Sequence, residues 1–455
     1  MKLIFSIQLI LCFIFGTSLF AQEQWTMDEC IAYALEHNLQ LKDFNYTSDA
    51  GREDYRQSVR NLLPEVNANT SYTINFGRST DPFTNNIITT EFFSNPYSLQ
   101  GSVDLFQGLQ KINAIKASKF LYKAAKEESL HQKYLLAFRV MQAFNNIRFF
   151  KGLVAIANEQ LDVSKTNFQL VEKQIELGLM AGADLYEAKS SLLGDELNLT
   201  QSENQLAAAK LVLIQEMNLE NTADIEIRLD ITQLVETNET NETMKMESDS
   251  VYLKAREFVP LIKAQELRTQ AATKQVGVAR GRLYPALSLF GGVGTGYFET
   301  TRDTLGNTLP FRNQFRDNTS QFIGVSLNVP ISNRWSARSR IKQAKIEKLR
   351  QENNLEVQQQ VLFQTIQQLV QDHNSLIVEL EQSAQNMEAQ RLAFTIAQKR
   401  YEKGIINGIE LYTAKNFYAR AQNENLQVRL RSEVNKSTLS FYRGIPVFGI
   451  DQYDN

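Results

Sequence analysis

The chain has 455 residues, 48 Lys and Arg against 51 Asp and Glu, a formal charge of −3 and 43% hydrophobic residues. This near-neutral balance, without a basic cluster, gives no footprint for a nucleic-acid partner, and two cysteines exclude a disulfide-built scaffold. The three histidines, His37, His131 and His373, stand isolated on helix-forming stretches as solvated or interface residues. No metal cluster or nucleophile–base pair is visible, so neither an enzyme nor a cofactor is expected.

Met1-Lys2, the apolar stretch Leu3–Phe20 and the small residue Ala21 before Gln22 predict a secretory signal over 1–21. Gln8, Gly16, Thr17 and Ser18 interrupt that stretch, against a membrane helix, and Leu11 precedes Cys12 where lipid attachment wants a small residue. Cleavage leaves Cys30 as the single cysteine, a small buried residue at the start of a helix. The fold must then hold by burial and pairing without an intrachain disulfide. The first helix is predicted over Ile31–Leu62.

After Pro64 the chain alternates, with Val66, Ala68, Thr70, Tyr72, Ile74 and Phe76 opposite Glu65, Asn67, Asn69, Ser71, Thr73 and Asn75. After Pro96, Tyr97, Leu99, Gly101, Val103 and Leu105 oppose Ser98, Gln100, Ser102 and Asp104. A polar loop, Gly77–Asn95, joins the two. The same layout follows Pro285, where Leu287, Leu289, Val293 and Tyr297 oppose Ser288, Gly292, Gly294 and Gly296. The loop Glu299–Thr319 leads to Ile323, Val325, Leu327 and Val329 before Pro330, with Phe290 and Phe322 as exceptions on the polar faces. Gly291–Gly296 (GGVGTG) lacks the Lys-Ser/Thr ending of a phosphate loop and lies inside this alternation, so small strand residues are the simpler account. Strands of about eleven residues tilted at about 45° span the apolar band of an outer-membrane barrel of roughly 25 Å. Four such strands leave open edges in lipid, so closure requires assembly, and three copies would give twelve.

Between the strand pairs, no proline falls from Leu99 to Val259 or from Ile331 to Ile445. Because an interior proline costs a helix about 3 kcal/mol, these gaps are where long helices are permitted. Gln107–Leu177 would be about 106 Å as one helix, against about 104 Å for Ile31–Leu62 and Gly182–Asn218 end to end. Ser332–Lys403 would be about 108 Å, against roughly 95 Å for Leu253–Arg282 plus Gly408–Leu439. The Gln-rich run 351–370 carries apolar residues at helical spacing, a coiled-coil seam that can also join helices around a polar bore. Thr222–Ser250, with the polar tract 236–243, reads as a linker or outer belt, and Asp224–Leu229 as a possible short strand within it.

The segment GLMAGADLYEAK at 178–189 returns as GIINGIELYTAK at 404–415, an offset of 226 residues (404 − 178) with six of twelve positions identical. Leu62-Leu63-Pro64 answers Leu283-Tyr284-Pro285 at 221 (285 − 64). The chain thus reads as a duplicated unit of mixed α and β class: a first repeat over 22–245, a second over 246–445 and a tail over 446–455. Gly178, Gly182, Gly404 and Gly408 permit tight reversals between helices. Asp184 and Glu187 follow in one copy and Glu410 in the other, near new helix N-termini where the macrodipole favours an acid by about 0.3–1 kcal/mol. If three copies surround an entrance, the same acids become rings that favour cations.

On these paired motifs, on the strand starts at Pro64 and Pro285, on the opening Trp25–Asn38 (WTMDECIAYALEHN) and on Val329-Pro330-Ile331, the chain resembles the TolC-like outer-membrane efflux proteins. The likeness runs in order over nearly the whole mature chain. It implies a homotrimer in the outer membrane, with a 12-stranded barrel continuous with a long α-helical barrel in the periplasm. It also implies a passive exit duct for an inner-membrane transporter of an efflux or type I secretion system, reached through a periplasmic adaptor (membrane fusion protein) that docks at the glycine tips. Family members are similar in placing an acid ring at the position of Glu410, with a second acid where this chain has Thr413, the counterpart of Glu187. Some close the tip with a polar latch matching Asp184 and Tyr401, completed by an Arg where this chain has Ile406. The rival reading, a periplasmic coiled-coil adaptor or scaffold, shares the long hairpins but needs no strand pairs of membrane-spanning length.

Overall fold

The computed structural model describes residues 24–80, 85–89, 91–179, 181–219, 225–228 and 246–448. The expected signal, Cys12, Pro82, the polar tract 236–243 and the tail from 449 onward lie outside the described residues.

The described residues open with β1 (Gln24–Trp25) and α1 (Met27–His37). A reciprocal cap starts α1: the Glu29 amide donates to Thr26 Oγ1 (3.3 Å) and the Thr26 amide to Glu29 Oε2 (2.8 Å). The first predicted helix is in fact two, because Asn38 takes an extended backbone (φ −65°, ψ 122°) and α2 (Leu39–Arg60) begins after it. Asn38 Oδ1 accepts from the Leu41 amide at 3.0 Å, the local side-chain bond by which Asn interrupts one helix and caps the next. There follow β2 (Glu65–Thr70), β3 (Thr73–Asn75), β4 (Arg78–Thr80), β5 (Ile87–Thr89) and β6 (Phe92–Gln107). Next come α3 (Gln110–Glu176), α4 (Gly182–Met217), β7 (Glu226–Ile227), α5 (Ser248–Phe258) and α6 (Pro260–Gly281). The predicted helix Leu253–Arg282 is also divided, at Val259 (ψ 120°), since Pro260 drives the residue before it out of helical geometry. The remaining elements are β8 (Ala286–Phe298), α7 (Phe311–Asp317), β9 (Ser320–Asn328), α8 (Ser336–Glu402) and α9 (Gly408–Tyr442). Helices α3 and α8 hold 67 residues each, about 100 Å of helix. No described helix is long and apolar enough to cross a membrane.

Two compact units form, each from separated stretches of chain. One unit comprises Tyr46–Glu127 and Leu261–Gln358. Its sheet runs β2-β6-β8-β9, all antiparallel, with β3 continuing beside β6. One face carries rows such as Val66–Gly101–Gly291–Ile323 and Ala68–Leu99–Val293–Gln321. The other carries Glu65–Ser102–Phe290–Gly324 and Asn67–Gln100–Gly292–Phe322. The two phenylalanines on the polar face lie over glycines: a Cβ on Gly324 would sit 2.7 Å from Phe290 Cζ, and one on Gly292 3.0 Å from Phe322 Cζ. Ile323, Val325, Leu327 and Val66 remain exposed on the apolar side. The loop after β8 is more ordered than its polar composition suggests. Gln314, 1% exposed, accepts from the Phe298 amide (2.9 Å) and donates to the carbonyls of Phe298 (3.0 Å) and Leu309 (2.8 Å), which pins α7 to the sheet. Phe311 and Phe315 then lie edge-on to Tyr97 at 6.2 and 5.5 Å. At the base of the sheet Gly108 (φ +59°) is obligatory, since a Cβ there would fall 2.4 Å from the Gly281 carbonyl oxygen.

The second unit comprises the described residues of 1–45, 128–260 and 359–455. Its core gathers Cys30, Ile31 and Ala34 of α1 with Val140, Phe144 and Ile147 of α3 and Leu213 and Met217 of α4. The strand reading of 224–229 is met in part by β7, which pairs parallel with β1. Glu226 accepts from Lys151 and Lys210 at 2.9 Å each, and these two bonds hold its carboxyl below the usual range. The helices α3, α4, α8 and α9 pack on one another through polar side chains. Asp195 of α4 meets Ser164 of α3, Arg148 of α3 meets Glu433 of α9 (2.6 Å), and Asn425 of α9 meets Ser383 of α8 (3.1 Å).

Candidate functional site

Both helical reversals use the same backbone device. At the first, Gly178 (φ +73°) donates to the Ile175 carbonyl and the Leu179 amide to the Gln174 carbonyl, both at 2.9 Å. At the second, Gly404 (φ +67°) donates to the Tyr401 carbonyl (2.8 Å) and the Ile405 amide to the Arg400 carbonyl (2.9 Å). Each is a Schellman cap, in which a left-handed residue closes the helix and satisfies its last carbonyls. Space plays no part, because nothing lies within 4 Å of a Cβ placed on either glycine. Gly182 and Gly408 differ: neither has a positive φ, and they stand as the first residues of α4 and α9. The reversal itself therefore requires Gly178 and Gly404 alone.

The acids that follow do different work. Asp184 Oδ2 accepts from the Ala181 amide at 3.2 Å, closing the N-terminus of α4 where Ala181 has no side-chain acceptor. In the other copy Asn407 Oδ1 takes the cap, accepting from the Glu410 amide at 2.9 Å. That leaves the Glu410 carboxylate exposed, with no hydrogen bond or ion pair among the described residues. Glu187 lies between the tips, its Oε2 3.9 Å from a Cβ placed on Gly408. The copies thus divide the labour, Asp184 as cap and Glu410 as free charge.

Behind the acids is a small core of Phe394, Tyr401, Leu411 and Tyr418, against which Ile406 packs. Burial pushes the Tyr401 phenol up, Asp184 and Glu187 add to the shift, and the Asn167 amide opposes it. Tyr412 is pushed up to about 12, chiefly by burial and then by Tyr401, again against the Asn167 bond. Asn167 Nδ2 donates to the Tyr412 hydroxyl at 2.5 Å, bridging α3 to α9. The sequence names Tyr401, Asp184 and Glu187, and the structure brings them together. Ile406, where the resemblance implies an arginine in some family members, supplies an apolar contact here. Asn167, Tyr412 and the buried Lys415 are not singled out by sequence reasoning; a lysine in a repeated motif looks like any solvated helix residue. Of the two alternatives for His373, solvated or interface, burial excludes the solvated one. Among the described residues no three His, Cys, Asp or Glu groups are placed to hold a metal ion.

The family model for the outer membrane efflux protein matches residues 30–218 and 251–444. The chain is 21% identical to the probable outer membrane lipoprotein SilC of Salmonella typhimurium over 90% of this chain and 83% of SilC. It is 20% identical to the cation efflux system protein CusC of Escherichia coli K12 over 90% of this chain and 84% of CusC. The crystal structure of the outer membrane protein VceC from Vibrio cholerae superposes with a TM-score of 0.76 at 16% identity, covering 92% of this chain and 96% of VceC. With an antiparallel sheet in the order β2-β6-β8-β9, two long hairpins and two matched repeats, the chain belongs to the outer membrane efflux protein family and is an exit channel of the outer membrane.

Proposed function

We propose that the channel works as a homotrimer whose acid-lined periplasmic mouth is formed by the two helical reversals. The observation that carries the trimer is the sheet. Its outer strands β2 and β9 each keep one unpaired edge, and its apolar face is largely exposed. In lipid both edges must be paired, and three copies of four strand positions close a 12-stranded barrel. Each repeat, 22–245 and 246–445, would supply one strand pair and one hairpin. Outer-membrane lipid would then cover the apolar face. The tips at Gly178–Gly182 and Gly404–Gly408 would receive a periplasmic adaptor that links the duct to an inner-membrane transporter, with no catalytic step in the duct itself. The sheet also disfavours the adaptor-only reading, because a soluble scaffold has no use for an uncovered apolar face. The acids support cation preference at the mouth, with Glu410 the principal charge, Glu187 beside it, and Asp184 and Tyr401 behind.

Two measurements test this. The detergent-purified protein is expected to have trimer mass and to conduct ions in a planar bilayer; a non-conducting monomer rejects the reading. Glu410→Gln is expected to reduce cation selectivity and weaken block by a trivalent cation such as hexamminecobalt. Unchanged selectivity and block would remove Glu410 from the role.

A further inference from the structure

Helix α7 lies on the apolar face of the sheet, at the end opposite the start of α3. Thr295, which shares that face with Val293, donates through Oγ1 to the Phe315 carbonyl at 2.6 Å, and Asn318 Nδ2 donates to the Gly296 carbonyl at 2.7 Å. The Tyr297 ring stands 5.8 Å from Phe311 and 5.6 Å from Phe93. With Tyr97 these rings form an aromatic belt across β6 and β8. Tyr297 is ten residues beyond Leu287 along β8 (297 − 287). Ten strand residues tilted at about 45° rise about 23 Å, close to the apolar band of an outer-membrane barrel. The belt therefore marks one boundary of that band, where aromatic side chains gather, and α7 stands at headgroup depth. Helices α3 and α6 join the sheet at its other end, beside Gln107 and Ala286, so in the channel reading this boundary is the outer one.

Below α7 the face is hollow. One cavity of about 430 Å³ is bordered by Phe315, Tyr97 and Ala68 and floored by Leu99 and Val293. A second, of about 450 Å³, adjoins it through the same two floor residues. It exists because Gly101 and Gly291 pair in register, so that row carries no side chain between Val66 and Ile323. Together they form one apolar groove leading from α7 toward the middle of the band. Phe311 and Phe315 remain 48% and 43% exposed, so α7 borders the groove without closing it. The two phenylalanines share one stripe of α7, at i and i+4, and Arg312 and Arg316 share the adjoining one. Arg316 is held by Asp317 through two bonds of 2.6 and 3.2 Å. Arg312 is exposed, with no hydrogen bond or ion pair among the described residues. Its planar fork of donors suits a phosphate group.

We propose that α7 and this groove bind one phosphorylated lipid of the outer leaflet per protomer, with an acyl chain over Leu99 and Val293 and a headgroup phosphate on Arg312. Depth and charge select the occupant. A groove inside the apolar band meets acyl chains, and an arginine at its outer rim meets the phosphates of the outer-leaflet glycolipid, lipid A. A free phosphate ion would satisfy Arg312 alone and leave the groove unused. The inference rests on the channel reading above, which sets the sheet across the outer membrane.

The test uses the full-length trimer in detergent, delipidated and then titrated with bisphosphorylated lipid A or with its dephosphorylated form, the bound lipid being counted by native mass spectrometry. The parent is expected to retain the bisphosphorylated form severalfold better. Arg312→Gln is expected to abolish that preference, and Arg312→Lys to keep most of it. Ala68→Phe, which fills the upper hollow, is expected to reduce retention of both forms severalfold. Should it fail to assemble, Ala68→Leu, which narrows the same hollow, is expected to act in the same direction. Val325→Phe, on the apolar face outside the groove, is expected to bind like the parent. Inorganic phosphate at millimolar concentration is expected to leave the lipid in place; displacement would reduce the site to one for free anions and overturn the lipid assignment. An Arg312→Gln trimer with the parent's preference would overturn the phosphate contact, and undiminished retention in the Ala68 variants would overturn the groove. A trimeric, conducting parent that retains no lipid would overturn this inference alone, whereas a non-conducting monomer would count against the channel reading itself.

Discussion

Two glycines in each reversal look alike in the sequence, but only one of each pair carries the turn. Gly178 and Gly404 are left-handed with open space around them, so a side chain there meets backbone strain and no clash. Gly178→Ala or Gly404→Ala is expected to cost about 1–2 kcal/mol, read as a lower midpoint of thermal unfolding or looser tips by proteolysis. Gly182→Ala, at an ordinary helical φ with nothing near its Cβ, is expected to be neutral or stabilising by about 0.4–1 kcal/mol. Tyr412 gives a pH signature at the same scale. Its folded pKa is raised to about 12, so the cluster contributes its full stability below pH 10 and loses it as pH rises from about 10 toward 12. A trimer melting curve followed over that range should fall with pH, and Tyr412→Phe should flatten the part of the decline that Tyr412 contributes. A slope unaltered by the substitution would assign the alkaline loss to other groups.

At the scale of elements, what could be read from the residues follows from locality. The two long helices are legible because missing prolines and a helical apolar period are properties of the segment alone. The strands are legible because alternation is local as well. The break at Asn38 hides inside an otherwise continuous pattern; it depends on one side chain choosing the Leu41 amide over solvent. Helix α7 is hidden for a different reason. Its order comes from Gln314 reaching backbone groups of β8, and a polar residue in a polar loop carries no mark of that use. Gln314→Leu should remove its hydrogen bonds to Phe298 and Leu309, at about 0.5–1.5 kcal/mol for each bond. The expected outcome is protease cleavage within 299–319 while the trimer persists, checked by limited proteolysis of intact assemblies. At the helical tips, likewise, the acids are legible from the repeat and Tyr401 from the family resemblance, whereas Asn167 and Lys415 matter only through contacts made across hairpins.

For the whole molecule the decisive property is a sheet that cannot finish itself. Strands β2 and β9 end the order with an unused edge each, and lipid offers no donors or acceptors to satisfy them. Folding and association are then one thermodynamic event, and stability has meaning only at a stated protomer concentration. The consequence reaches genetics. A copy able to join on one edge but not the other, through a proline introduced in β9 for example, would occupy a place in a ring it prevents from closing. Were such a copy expressed in equal amount with the native chain, only about one assembly in eight would be free of it. Damage to one edge strand should thus behave as a dominant trait, whereas a chain that never reaches the membrane should be recessive.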